Sequence, residues 1–107
     1  MEKKVLCASS AYEQKYYLAT EFETLPQAIK DELKIMCVLY TEDIGGIISL
    51  VFDEDGSLMF EVSSKEEDLL FDDIGSVLKV KQLKQEKQDL LEALEMYYRV
   101  VFLKEEV

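Results

Sequence analysis

Two apolar runs, Ile47–Phe52 and Leu58–Val62, flank the segment Asp53-Glu54-Asp55-Gly56. Asp and Gly supply the left-handed turn conformations that a β-hairpin needs. The strand period of two places Ile48, Leu50 and Phe52 on one face with Leu58, Phe60 and Val62, and turns Ser49, Glu61 and Ser63 away from it. A hairpin with one apolar face has to be covered, so the remaining question is what the rest of the chain lays over it.

Two helical segments answer. Thr24-Leu25-Pro26-Gln27 reads as a helix start, with Thr24 placed to accept from an exposed backbone N–H, Gln27 to reach back, and Pro26 tolerated in the first turn. Ile29, Leu33, Met36, Cys37 and Tyr40 then share one helical face, and Gly45-Gly46 can end the helix in a left-handed conformation. Ile35 to Tyr40 is apolar without interruption, so this stretch is open between helix and buried strand. Asp72 and Asp73 suit the positive end of a second helix. From Ser76 onward, Val80, Leu83, Leu90, Leu94, Tyr97 and Val101 keep three-to-four spacing, with Leu91, Tyr98 and Phe102 widening the stripe. Lys87 interrupts it and is expected to carry its ammonium group to water, and Glu95 and Arg99 form an i,i+4 pair.

Val5-Leu6-Cys7-Ala8 reads as a short strand. Segment 11–23 is open between a short helix capped by Ser10 and Glu13 and a strand along which Tyr12, Tyr16 and Leu18 alternate. Leu69-Leu70-Phe71 is expected to dock on the core. With 107 residues, 49% of them hydrophobic, and no repeat or linker, the expectation is one domain over residues 1–107. The fold class is α+β: an antiparallel hairpin or small sheet packed against a central helix and a long C-terminal helix.

The formal net charge of −11 lies entirely in residues 31–73, where thirteen acids face Lys34 and Lys65. Such a surface disfavours nucleic acid, since phosphate neutralisation needs clustered Lys and Arg, and the lysines between 79 and 87 are followed closely by Glu86 and Asp89. A basic protein is the kind of partner this charge would attract. No stretch approaches the roughly 20 apolar residues of a membrane-spanning helix, and the apolar run after Met1 is too short for a signal peptide. Membrane association is therefore not expected.

Chemistry finds little foothold. Histidine is absent, which removes the commonest general base and the commonest transition-metal ligand. Cys7 and Cys37 form no Cys-x-x-Cys pair and have no third soft ligand, so they are expected to be reduced and buried. The Asp53–Gly56 turn fails as a calcium loop, because Val51 and Val62 would fall at the first and last ligand positions. Gly45-Gly46 lacks the spacing and the lysine of a phosphate loop. The neighbouring acids Glu42-Asp43 and Asp72-Asp73 point to helix ends rather than to a paired acid and base. The six tyrosines suit core packing, and Ser9, Ser10 and Ser49 have no visible base. No catalytic residue, cofactor or metal site is assigned, and the chain is not expected to be an enzyme.

The stretches Tyr12-Glu-Gln-Lys-Tyr-Tyr17, Lys30-Asp-Glu-Leu-Lys-Ile-Met-Cys-Val-Leu-Tyr-Thr-Glu-Asp-Ile-Gly-Gly46 and Leu70-Phe-Asp-Asp-Ile-Gly-Ser76 resemble an uncharacterised family of short acidic bacterial proteins, a domain of unknown function. The resemblance covers most of the chain. It brings no reaction, ligand or site, and implies only a bacterial, cytoplasmic protein.

The expected role is that of a self-associating interaction or structural module, with an acidic protein docking on a basic surface, or a small ligand-binding domain, as alternatives. A single helix over 73–103 would be roughly 47 Å long at about 1.5 Å per residue. A compact chain of this length is only about 33 Å across. The overhanging end would carry Leu94, Tyr97, Tyr98, Val101 and Phe102, and this surface is where a homodimer is expected to form.

Overall fold

The structure, a computed structural model, describes residues 3–105. Four strands and three α-helices follow in the order β1 (Lys4–Ser10), β2 (Lys15–Leu18), a 3-10 turn at Thr20–Phe22, α1 (Gln27–Asp43), β3 (Ile47–Phe52), β4 (Leu58–Ser63), α2 (Asp73–Glu86) and α3 (Gln88–Val101). The strands form one antiparallel sheet in the order β2-β1-β3-β4. The class is α+β, as the sequence implies.

The central hairpin is as read. Ile48 pairs with Val62, Leu50 with Phe60 and Phe52 with Leu58. Asp53 builds the turn: its carboxylate accepts from the N–H of Asp55 and of Ser57, both at 2.9 Å, while Gly56 takes φ 87°. Within segment 11–23 a strand forms over Lys15–Leu18, so the alternation holds for Tyr16 and Leu18, while Tyr12 lies in the β1–β2 turn and Thr20–Phe22 make the 3-10 turn. Ser10 does accept from Glu13 N–H at 3.3 Å, but it closes the β1–β2 turn rather than starting a helix.

A β-bulge between Val5 and Cys7 lets Leu6 and Cys7, neighbours in sequence, both enter the core. They meet Phe22, Leu33, Met36, Cys37, Tyr40, Ile48, Leu50 and Phe52 there, joined by Leu83, Leu90, Leu91, Leu94 and Tyr98 from the C-terminal third. Segment 35–40 is helix. Its unbroken apolar run has a simple cause: Met36, Cys37 and Tyr40 face the sheet, whereas Ile35 and Leu39 face solvent. Thr24 does not cap this helix. Pro26 occupies the N-cap without a side-chain bond, and Gln27 reaches forward to Asp31 at 2.8 Å.

The long C-terminal helix is a correction. It breaks at Lys87, which takes φ −109° and ψ 20°, so two 14-residue helices replace one. α2 lies beside α1, fixed by a buried 2.6 Å hydrogen bond between Tyr40 and Ser76 and by Lys79–Asp43 and Lys87–Glu32 ion pairs. α3 turns back onto β4. Glu95 and Arg99 do not pair along the helix but hold the hairpin: Glu95 accepts from Leu58 N–H at 2.7 Å, and Arg99 Nε donates to the Asp55 carbonyl at 3.3 Å.

Candidate functional site

The five residues expected to mediate self-association divide once α3 folds back. Leu94 and Tyr98 are buried in the chain's own core. Tyr98 stacks on Phe52 with centroids 4.1 Å apart, and Phe102 stacks on Tyr98 at 5.0 Å while meeting Phe22 at 5.0 Å. Tyr97 is partly buried against Phe102, at 6.1 Å. Only Val101 stays largely exposed. These side chains form an intramolecular aromatic stack, and the premise of an overhanging apolar end does not hold.

The exposed apolar surface lies instead at the start of α2. Leu69, Leu70, Ile74, Val77 and Leu78 are between 62% and 94% exposed, the highest concentration of exposed large apolar side chains in the fold. Docking of Leu69-Leu70-Phe71 is thus corrected for two of its three residues. Phe71 alone packs inward, against Gly46, where an added Cβ would come within 2.6 Å of its ring. The loop around it is held at both ends. Tyr12 donates to Asp68 at 2.6 Å and accepts from Lys65 N–H at 3.1 Å. Asp72 caps α2 by accepting from Gly75 N–H at 2.9 Å. Fixed between these clamps, Leu69 and Leu70 have nowhere to turn but outward.

The ridge borders a trough of about 340 Å³ between α2 and β4, with Phe60, Val62, Val77 and Val80 in its apolar lining and Lys81 and Lys84 on its rim. Charge changes sign along this surface. Glu66, Glu67, Asp68, Asp72 and Asp73 precede or open the helix, and Lys79, Lys81 and Lys84 follow. Sequence periodicity does not find this patch, because the stripe it picks out runs through Val80, Leu83, Leu90 and Leu94 and leaves Ile74, Val77 and Leu78 outside it.

A second concavity, a cleft of about 660 Å³, opens between the β1–β2 hairpin and α1 and is lined by Ser9, Ser10, Gln14, Lys15, Tyr16, Lys34 and Thr41 among others. Behind it lie Cys7 and Cys37, free and buried as the sequence implies, with their sulfurs 3.8 Å apart. Among the described residues, no three His, Cys, Asp or Glu side chains converge on a metal position, and no helix is long and apolar enough to cross a membrane.

No curated protein and no solved structure matches this chain. A family model does, over residues 3–106. The chain belongs to the Family of unknown function (DUF6145).

Proposed function

We propose that this chain is a non-enzymatic, cytoplasmic interaction module that pairs with a second copy of itself through the N-terminal half of α2. The observation that carries the reading is the row Leu69, Leu70, Ile74, Val77 and Leu78, which the fold leaves open to water. Apolar surface concentrated in this way marks interaction sites on soluble proteins. The identity of the partner follows from charge. A chain carrying −11, all of it within residues 31–73, repels its own copies through that acidic stretch. α2 instead carries both signs, with Asp72 and Asp73 at its start and Lys79, Lys81 and Lys84 beyond. An antiparallel two-fold pairing centred near Val77 sets the acidic start of each α2 against the lysines of the other. Two-fold pairing is the commonest oligomeric arrangement.

Light scattering across a dilution series tests the reading on the native protein and on Ile74→Asp with Leu78→Asp. Both positions are exposed, so the double variant should keep its circular dichroism and denaturant midpoint. The native chain is expected to be dimeric at micromolar concentration and the variant monomeric. A native chain that stays monomeric at high micromolar concentration overturns the proposal, as does a variant that remains dimeric. Salt-sensitive capture of a basic protein by a monomeric chain would point instead to the acidic segment 31–73 as the working surface.

A further inference from the structure

Cys7 on β1 and Cys37 on α1 are fully buried free thiols with sulfurs 3.8 Å apart. Two residues further along the strand and four further along the helix, the hydroxyls of Ser9 and Thr41 meet at 3.0 Å. A two-residue step on a strand advances about 6.6 Å and a four-residue step on a helix about 6 Å. The two pairs are therefore successive rungs between the same two elements. The outer rung, Ser9 and Thr41, lines the 660 Å³ cleft. Tyr16 on β2 lines it as well, and its hydroxyl is buried beside Cys7 without a hydrogen-bond partner. The thiols thus lie one rung behind a cleft open to solvent, whose lining includes Ser9, Tyr16 and Thr41 together with Ala11 and Val38.

A disulfide needs its sulfurs at about 2.05 Å, so less than about 2 Å of sulfur approach separates the pair from a bond. The two thiols are also unequal. Cys37 is held protonated by its hydrogen bond to Cys7 and by burial, and that same hydrogen bond brings the pKa of Cys7 below the ordinary thiol value. Cys7 is consequently the nucleophile and Cys37 the resolving group.

We propose that Cys7 and Cys37 form a peroxide-responsive dithiol, which hydrogen peroxide entering past Tyr16 converts into an intramolecular disulfide tying β1 to α1. The Cys7 thiolate sulfur attacks one peroxide oxygen. The O–O bond breaks, and the departing hydroxide leaves as water with the proton that Cys7 gave up, so that Cys7 becomes a sulfenic acid. The Cys37 sulfur then attacks the Cys7 sulfur. The S–S bond forms, the S–O bond breaks, and a second water leaves with the Cys37 proton. Two electrons pass from the thiols to the peroxide, and an added dithiol returns them while itself becoming a disulfide. The inference is independent of pairing through α2.

The reduced full-length protein is treated with hydrogen peroxide, quenched with acid, unfolded and assayed for free thiols. Both thiols are expected to disappear, the intact mass to fall by about 2 Da, and a peptide map to join the Cys7 segment to the Cys37 segment within one chain. Dithiothreitol should restore both thiols. Cys37→Ser should stop at a sulfenic acid on Cys7 that dimedone captures, whereas Cys7→Ser should leave Cys37 unlabelled. The proposal is overturned if both thiols survive a dose that oxidises them in the urea-unfolded chain. It is overturned equally if the disulfide joins two chains, or if oxidation runs to sulfinic acid without a disulfide. Should either serine variant fail to fold, the thiol count and peptide map of the native chain decide alone.

Discussion

Tyr40 and Ser76 share a buried 2.6 Å hydrogen bond that fastens α2 alongside α1. It is a neutral pair out of contact with water, so removing either hydroxyl strands the other. Tyr40→Phe or Ser76→Ala should each cost about 1–3 kcal/mol, the range for an orphaned buried polar group. The combined variant should cost less than the sum, because neither hydroxyl is then left unpaired. Denaturant midpoints of the three variants measure this, and strict additivity would show that the two side chains do not act as a pair.

The stack of Tyr98 on Phe52 makes a separate demand. Tyr98 is buried and lies within 8° of parallel to the Phe52 ring. Tyr98→Ala should destabilise the fold by about 3–5 kcal/mol, as large aromatic truncations in cores do. Tyr98→Asp with Phe102→Asp should unfold the chain rather than merely separate two copies. Circular dichroism and denaturant titration distinguish these outcomes. A folded, fully soluble double variant would return these two rings to the surface.

At the hairpin tip, Gly56 sits at φ 87°, and an added Cβ would come within 2.8 Å of Arg99 Cγ. Gly56→Val therefore meets two obstacles, a left-handed backbone that a β-branched residue resists and the side chain of α3. The loss should exceed about 1 kcal/mol, the scale of strain at such positions. A midpoint unchanged within error would contradict the turn geometry.

Stability should fall at alkaline pH. Burial raises the pKa of Tyr16, and that of Tyr40 as well, above the ordinary tyrosine value of about 10. Above that pH the unfolded chain releases protons that the fold retains. The contribution of these groups is complete below about pH 10 and declines as pH rises. Tyr16→Phe removes a hydroxyl that has no hydrogen-bond partner. It should leave stability at neutral pH within about 0.5 kcal/mol of native or above it, and it should flatten the alkaline decline. Urea titrations on either side of pH 10 would reveal a contrary slope.

Local chemistry made much of the fold legible. Asp53 and Gly56 announce the hairpin, and the faces of β3 and β4 follow from a period of two. The inward face of α1 follows from the spacing of Leu33, Met36, Cys37 and Tyr40. Tertiary packing decided the rest. Nothing in Gln85-Glu86-Lys87-Gln88 resembles a helix stop, and no glycine or proline stands there. The break at Lys87 is set by the sheet that Leu90, Leu94 and Tyr98 have to cover. Once the helix divides, the surface expected for self-association moves from its end to its beginning. The thiol pair was invisible for another reason. Thirty residues separate Cys7 from Cys37, and only the matched rises of β1 and α1 bring them together.

The aromatic stack also sets the order in which the chain can finish folding. Phe22 and Phe52 belong to its first half, yet the rings that close over them, Tyr98 and Phe102, lie almost at its C-terminal end. On the ribosome the sheet can pair and α1 can dock while both phenylalanines still face water, because contacts this distant in sequence wait for the last segment to emerge. Loss of Tyr98 and Phe102 would leave the earlier elements intact in sequence but without their closing piece. The end of α3 acts as the latch of the fold, and a chain that has not closed it would be recognised by two phenylalanines that the folded protein keeps buried.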